Sequence, residues 1–305
     1  MSELILKTKE LTKTFGKYHA VNHVDLSIRR GAIYGFIGRN GAGKTTCLKM
    51  ISGLSTQTSG EIEIFGYKGK DLSKVRSRIG CLIETPGLYG NMSAYDNLKT
   101  KCKLFGIRDE KYIREILETI GLEDAGKKKT KQFSLGMKQR LGIGLALVGD
   151  PDLLILDEPI NGLDPQGIVE VRETIQRLNQ EHNMTIIISS HILEELSKIA
   201  TDYGMIHQGV LLEEVTREEL MERCRERILI HTDEPKKALP VLDTLGYKNY
   251  QVTDGTHVAV YERIDESANL NRALVEAGIM VKEILVTSEE LENYFLNLTG
   301  GAKNA

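Results

Sequence analysis

The chain has 305 residues, of which 41% are hydrophobic and 27% charged, a composition typical of a globular protein long enough for about two domains. Its formal net charge of −3 gives no positive field for nucleic acid, and the basic run Lys127–Lys131 is interpreted as a solvated loop rather than a phosphate-binding patch. Four cysteines without metal-ligand spacing indicate free thiols in a reducing compartment, and the longest uncharged stretch, Leu141–Gly149, is far shorter than the ~20 apolar residues that span a bilayer.

Short β-rich runs alternate with helical patterns in the first two thirds of the chain, which predicts an α/β domain with a parallel sheet. Continuous apolar runs predict strands covered on both faces, and a period of about 3.6 residues predicts helices. The predicted strands are Ala32–Ile37, Ile79–Ile83, Leu153–Leu156 and Thr185–Ser189. The predicted helices are Lys44–Ile51, Arg108–Leu122 and Val169–Gln180.

The segment Gly38–Thr45 fits the phosphate-loop pattern GxxxxGK[ST] and lies between a predicted strand and a predicted helix, as that pattern requires. Its glycines allow backbone N–H groups to close around phosphates, and the helix N-terminus adds the positive end of its dipole. We expect Lys44 to reach the β- and γ-phosphates of a nucleotide and the Thr45 hydroxyl to ligate Mg²⁺.

Two further polar sites follow along the chain. Glu84 comes directly after the apolar run Ile79–Ile83, where it is either an ordinary strand-end residue or a group directed at a ligand. Ser134 and Gly136 open another predicted helix, with Ser134 as its expected N-cap. Free N–H groups at such a helix start can bind a second phosphate, although Ser-x-Gly starts are more often structural.

A carboxylate pair, Asp157 and Glu158, follows the strand Leu153–Leu156, at the end where parallel α/β sheets bind ligands. Asp157 can hold Mg²⁺, and Glu158 can polarise a water molecule for in-line attack on a γ-phosphate. His191 follows the strand Thr185–Ser189. A histidine there alone is more often a surface or capping residue, but its place at the end of a buried strand favours a role in the site.

A different pattern begins after about Thr216, and the order β-α-β-β-α-β predicts a small ferredoxin-like α+β extension. Asp254-Gly255 between two predicted strands is a hairpin signal, and a last helix is expected from about Ser288 toward Gly300. His231 and His257 are expected to lie alone on the surface. The predicted domains are therefore residues 1–213 and residues 214–305.

Together these motifs resemble the ATP-binding cassette family, the nucleotide-binding subunits of ABC transporters, over about Leu4–Glu213. The resemblance implies a P-loop NTPase fold with a parallel core sheet, a β-rich edge subdomain and a helical subdomain. It implies ATP and Mg²⁺ as cofactors, Glu158 and His191 as catalytic residues, and Thr45, Glu84 and Asp157 as metal ligands. The implied nucleotide-binding residues are Phe15, Gly38, Asn40, Gly41, Ala42, Gly43, Lys44, Thr45, Thr46, Glu84, Ser134, Gly136 and Asp164, with Tyr18 as the alternative to Phe15 for stacking on adenine.

Three residues depart from the common family pattern. Leu135 and Met137 replace a glycine and a glutamine of the signature segment, and Glu84 replaces a glutamine whose loop meets the membrane partner. Glu84, "TPGLY" after it and "FSLGMKQR" resemble the ATPases of bacitracin-type and lantibiotic-immunity exporters. This resemblance predicts an ATP-hydrolysing motor subunit for the export of peptide antibiotics.

The resemblance also implies partners. Two cassettes would face head to tail as a homodimer, with each ATP between the phosphate loop of one copy and the signature of the other. A separate integral-membrane permease would hold them at the cytoplasmic face of the membrane, with no nucleic acid involved. The alternatives are an exporter of a lipid, drug or polysaccharide, a soluble ABC ATPase without a permease, and a module that binds ATP without turnover.

Overall fold

The computed structural model describes residues 3–288 and 291–300. The chain divides into two units, the first ending at Arg217 and the second beginning at Glu218. The predicted domain boundary, between residues 213 and 214, lies inside the strand Val210–Thr216.

The first unit alternates strands with helices. Its strands are β1 (Leu4–Phe15), β2 (Tyr18–Val24), β3 (Ser27–Arg29), β4 (Ile33–Ile37), β5 (Ser59–Ile64), β6 (Tyr67–Lys68), β7 (Ile79–Leu82), β8 (Leu153–Asp157), β9 (Thr185–Ser190), β10 (Asp202–His207) and β11 (Val210–Thr216). Its α-helices are α1 (Lys44–Ile51), α2 (Ala94–Leu104), α3 (Glu110–Thr119), α4 (Leu135–Leu147), α5 (Pro165–His182) and α6 (Leu193–Ser197), with 3-10 helices at Gly69–Arg78, Glu123–Ala125 and Thr130–Gln132.

A six-stranded sheet in the order β11-β10-β4-β9-β8-β7 forms the core of this unit. The strands from β10 to β7 pair in parallel, and β11 pairs antiparallel at the edge. Every residue of β4, β8 and β9 is buried, as expected for parallel strands covered on both faces. Because β4, β9 and β8 are neighbours, the loops after their carboxyl ends meet at one edge of the sheet.

An antiparallel sheet in the order β2-β1-β5-β6, with β3 also paired to β1, forms the β-rich edge. One hydrophobic cluster contains residues of both sheets and of α1, whose Cys47, Leu48 and Ile51 are fully buried. Helices α2, α3 and α4 pack on one another and form the helical part. The helix α1 therefore has its position fixed by both sheets.

The observed helices differ from the predicted ones mainly at their ends. The helix α5 begins at Pro165 rather than Val169, because Asp164 caps its N-terminus and proline suits its first turn. The helix α3 is shorter than Arg108–Leu122, since Asp109 caps its start. None of the helices in the described residues combines the length and apolar character of a membrane span.

The second unit has the predicted β-α-β-β-α-β order. Its elements, from the division onward, are α7 (Arg217–Arg223), β12 (Arg227–Thr232), α8 (Pro235–Thr244), β13 (Tyr250–Val252), β14 (His257–Val260), a 3-10 helix (Ile264–Glu266), α9 (Ser267–Glu276), β15 (Val281–Thr287) and α10 (Leu291–Leu298). The strands form an antiparallel sheet in the order β13-β14-β12-β15, and α8 and α9 share its hydrophobic core. The predicted last helix corresponds to α10; residues 289 and 290, near its expected start, lie outside the described part of the chain.

The turn at Asp254-Gly255 joins β13 to β14, as its sequence predicted. Hydrogen bonds donated by the Thr256 backbone N–H and by His257 lower the pKa of Asp254 to about 2. The expectation that His231 and His257 lie alone is wrong. They are cross-strand partners on β12 and β14, and their rings stack with centroids 4.5 Å apart.

Candidate functional site

The loop between β4 and α1 requires glycine at several positions. Gly41 and Gly43 have φ angles of +81° and +107°, in the left-handed region that favours glycine. A Cβ at Gly38 would lie 2.5 Å from the carbonyl oxygen of Ile206, so no larger side chain fits there. The helix α1 begins directly after Gly43, and the free N–H groups of its first turn suit a phosphate.

Lys44 is only 5% exposed. Its ammonium Nζ lies 2.6 Å from the carbonyl oxygen of Gly38 and 3.0 Å from Oε1 of Glu158. The cation of the phosphate loop is thus held between the loop backbone and a carboxylate. In this position it is a charged hydrogen-bond donor for phosphate oxygens.

Asp157, the last residue of β8, is 3% exposed and accepts hydrogen bonds from two hydroxyls. Thr45 Oγ1 lies 2.8 Å from its Oδ2, and Ser189 Oγ lies 2.6 Å from its Oδ1. A carboxylate and a hydroxyl in contact provide the hard oxygen ligands that Mg²⁺ prefers. Thr45 and Asp157 therefore fit this ion.

Glu158 lies between a cation and an imidazole. Its Oε1 pairs with Lys44, and its Oε2 lies 2.9 Å from Nδ1 of His191. Its φ of +49° is in the left-handed region, uncommon for glutamate, and its backbone N–H donates to Ser189 Oγ at 2.9 Å. The structure thus places Lys44, Glu158 and His191 at one edge of the core sheet.

An open cleft of ≈ 330 Å³ lies over the phosphate loop, and we call it the phosphate-loop cleft. Its lining consists of Phe15, Tyr18, Ala20, the residues 40–46 and Glu158. Phe15 and Tyr18 are 56% and 59% exposed and are paired across β1 and β2. Both aromatic rings therefore remain candidates for stacking on adenine.

Glu84 lies two residues beyond β7, with a left-handed φ of +62° and 62% of its side chain exposed. Its Oε1 is 2.6 Å from Nζ of Lys49, which lies on α1 about one turn beyond Thr45. Glu84 does not line the phosphate-loop cleft in the part of the chain that the structure describes. Its predicted contact with Mg²⁺ stays a prediction.

Ser134, Gly136 and Asp164 form a second group, which we call the signature cluster. Ser134 caps α4 by accepting a hydrogen bond from the Met137 N–H at 3.2 Å, and Asp164 caps α5 in the same way with Gly167 at 3.0 Å. A Cβ at Gly136 would lie 3.3 Å from the Cα of Gly167, so the two helix starts approach closely. Among the described residues, none of the cluster lines the phosphate-loop cleft of its own chain.

Sequence reasoning missed two residues that contact predicted site residues. The sequence predicts only a buried strand position for Ser189, yet its hydroxyl contacts the Asp157 carboxylate and the Glu158 backbone N–H. Lys49 was assigned only to the helix α1, yet it is the ion partner of Glu84. A signal for Ser189 existed, since a hydroxyl in a fully buried strand needs a hydrogen-bond partner.

Comparisons with known proteins agree with this geometry. The family model described as ABC transporter matches residues 21–161. The chain is 44% identical to the bacitracin transport ATP-binding protein BcrA of Bacillus licheniformis, over 97% of this chain and 98% of that protein. It is 47% identical to the lantibiotic transport ATP-binding protein SrtF of Streptococcus pyogenes, over 68% of this chain and 89% of that protein.

Two solved structures resemble 72% and 70% of the chain, respectively. The ABC transporter component cbiO1 from Clostridium perfringens has a TM-score of 0.65 and 28% identity, covering 72% of this chain and 92% of that one. A dimeric ATP-binding cassette, MJ0796 bound to ADP and Pi, has a TM-score of 0.62 and 26% identity, covering 70% and 98%. The predicted fold is confirmed by these likenesses. The chain belongs to the ABC transporter family, as one of its ATP-binding proteins.

Proposed function

We propose that this chain is the ATP-hydrolysing subunit of an exporter of peptide antibiotics of the bacitracin or lantibiotic type. ATP hydrolysis is supported by the position of the Glu158 carboxylate, which contacts both Lys44 and His191. Relatives named for bacitracin transport match 97% and 98% of the chain, and so cover both units, which supports the cargo class. We assign nucleotide binding to residues 1–213 and an accessory role to residues 214–305.

ATP would occupy the phosphate-loop cleft. Its phosphates would lie against the loop backbone and Lys44, and its adenine would stack on Phe15 or Tyr18. Thr45 and Asp157 would hold Mg²⁺, with Glu84 as a third ligand. When bound, the ion would neutralise charge on the phosphate oxygens.

Glu158 would act as the general base. Its carboxylate can accept a proton from a water molecule that attacks the γ-phosphate, while Lys44 stabilises the charge on the transferred group. His191, in contact with Glu158 Oε2, would orient that carboxylate and contact the γ-phosphate. The strained backbone of Glu158 is consistent with a residue positioned for function.

The signature cluster supports the pairing of two copies. Since Ser134, Gly136 and Asp164 do not line the cleft of their own chain within the described residues, they would complete the cleft of a second chain. A symmetric head-to-tail homodimer would bring each phosphate-loop cleft to the signature cluster of the other copy.

A groove of ≈ 400 Å³ beside Glu84 supports a membrane partner. It is lined by residues that flank Glu84, including Ile83 and Thr85, and by the exposed side chains of Tyr89, Leu104 and Phe105. An exposed apolar surface next to a polar loop is a common protein-binding feature. We infer that a cytoplasmic segment of a separate permease binds here and holds the chain at the cytoplasmic face of the membrane.

Expression of the chain together with its proposed permease tests this function. The pair should raise the concentration of bacitracin or of a lantibiotic that inhibits a sensitive Gram-positive host. A pair carrying Glu158→Gln serves as the control and should give no protection. Unchanged sensitivity to both peptide classes, or equal protection by the Glu158→Gln pair, would contradict the proposal.

Replacement of Glu84 by glutamine should alter coupling while preserving ATP binding. Glutamine keeps an oxygen that can ligate Mg²⁺, and the lost ion pair with Lys49 is exposed, so ATP affinity should change by less than about fivefold. The loop carrying Glu84 adjoins the proposed permease groove, and we therefore expect less resistance per ATP hydrolysed. The measurement compares ATPase rate and inhibitory concentration in the same strains.

Lys49→Gln is the matched control for Glu84→Gln. It removes the same ion pair and leaves the carboxylate in place, so it separates loss of the pair from loss of the carboxylate. Wild-type ATPase rate and resistance in the Glu84→Gln strain would mean that Glu84 is an ordinary surface residue.

A further inference from the structure

A single buried hydroxyl connects the Asp157 carboxylate to the backbone N–H of Glu158. Ser189, on β9, is fully buried, and the register of the core sheet places it directly beside Asp157 on β8. Its Oγ donates to Asp157 Oδ1 at 2.6 Å and accepts from the Glu158 backbone N–H at 2.9 Å. We propose that Ser189 is a positioning residue for hydrolysis, which fixes the metal-binding carboxylate and the base relative to each other; this inference rests on the proposed ATPase function.

The orientation of this hydroxyl is determined by its partners. A backbone N–H can only donate, so the Ser189 oxygen must accept from Glu158, and its one proton must point to Asp157. Asp157 is nearly fully buried, and without Ser189 one carboxylate oxygen would lose a short hydrogen bond. The Glu158 N–H and the Asp157 carboxylate therefore determine which hydrogen bond the Ser189 hydroxyl accepts and which it donates.

The Ser189 hydroxyl also stabilises the left-handed backbone conformation of Glu158. Glu158 has a left-handed φ of +49°, and its N–H has two acceptors on one residue, the carbonyl oxygen of Ser189 at 3.2 Å and Ser189 Oγ. A non-glycine residue in this region persists only where its surroundings hold it. Since this backbone directs the side chain between Lys44 and His191, loss of the hydroxyl should misplace the base.

The test compares Ser189→Ala, Ser189→Thr and Thr185→Val in the complex with the permease. Thr185 is a matched control: it lies at the other end of β9, is also buried, and its hydroxyl accepts a hydrogen bond from the Gly31 N–H, away from Asp157 and Glu158. The readouts are kcat and KM for ATP, the melting temperature, and the factor by which Mg²⁺ strengthens binding of a fluorescent ATP analogue.

We expect Ser189→Ala to lower kcat about 10–100-fold with KM within about threefold, because a small misplacement of a catalytic group costs on that order. It should also reduce the effect of Mg²⁺ on nucleotide binding, and Ser189→Thr should restore most of both. Thr185→Val should lower the melting temperature with little change in kcat.

The proposal is overturned if Ser189→Ala keeps both the wild-type kcat and the wild-type Mg²⁺ effect, or if Thr185→Val lowers kcat equally. A wild-type complex that binds ATP with Mg²⁺ but does not hydrolyse it would refute the proposed function. In that case the Mg²⁺ effect on binding in the three variants still decides the role of Ser189.

Discussion

Replacement of Glu158 by glutamine should reduce ATP turnover by about 10²–10⁴-fold, because the side chain can no longer accept a proton from water. Glutamine keeps the shape of glutamate: its carbonyl oxygen can accept from Lys44, and its amide can donate to His191. We therefore expect ATP binding and the melting temperature to stay near those of the wild type. Phosphate release by the chain with its permease measures the first effect, and binding of a fluorescent ATP analogue measures the second.

Glu195→Gln is the matched control for this variant. Its side chain is 16% exposed, against 20% for Glu158, and it is ion-paired with Arg172 and Lys198 outside the phosphate-loop cleft. Its turnover should remain close to wild type. Equal and rapid hydrolysis by Glu158→Gln and the wild type would mean that Glu158 is not the base. If both are equally slow, even with the permease present, the motor function is wrong.

Replacement of Lys44 by alanine should weaken ATP binding by about 10–100-fold, the usual range for a lost hydrogen bond to a charged group. Hydrolysis should fall further, since Lys44 also stabilises charge that develops on the transferred phosphate. At a MgATP concentration near the wild-type Kd, a thermal melt should show stabilisation of the wild type and almost none of the variant. The fold should persist, because Glu158 keeps its contact with His191.

Lys44→Arg separates charge from geometry. The ammonium is almost completely buried between the Gly38 carbonyl oxygen and Glu158, a space that does not suit the wider fork of a guanidinium. We expect the arginine variant to lose MgATP stabilisation as well. Normal stabilisation of Lys44→Ala by MgATP would exclude Lys44 as a phosphate ligand.

The sequence was most informative where the chemistry is local. The phosphate loop needs glycines and a lysine within one short segment, and its strand and helix flank it directly. The Asp157–Glu158 pair is also local, since it ends a strand whose buried residues are aliphatic. The β-α-β-β-α-β order of the second unit followed from alternation and the Asp254-Gly255 turn.

The contacts that sequence reasoning missed join distant parts of the chain. Ser189 meets Asp157 across 32 positions, and only the register of β8 and β9 brings them together. Lys49 and Glu84 are 35 positions apart, and they meet because α1 and Ile83, the residue before Glu84, belong to one hydrophobic cluster. The start of α5 differs from the prediction for another reason: the helix begins through the Asp164 cap and the first-turn Pro165, which hydrophobic periodicity does not reveal.

The separation of the phosphate-loop cleft from the signature cluster has a genetic consequence. If two copies pair head to tail, a copy with an altered Gly136 damages the cleft of its companion and leaves its own cleft to be completed by the normal copy. Each assembly would then lose one working site although only one of its two subunits is altered. Signature-cluster mutations should therefore be partly dominant in cells that carry both alleles. A phosphate-loop mutation in one copy combined with a signature mutation in the other would place both defects in the same site and leave the second site intact.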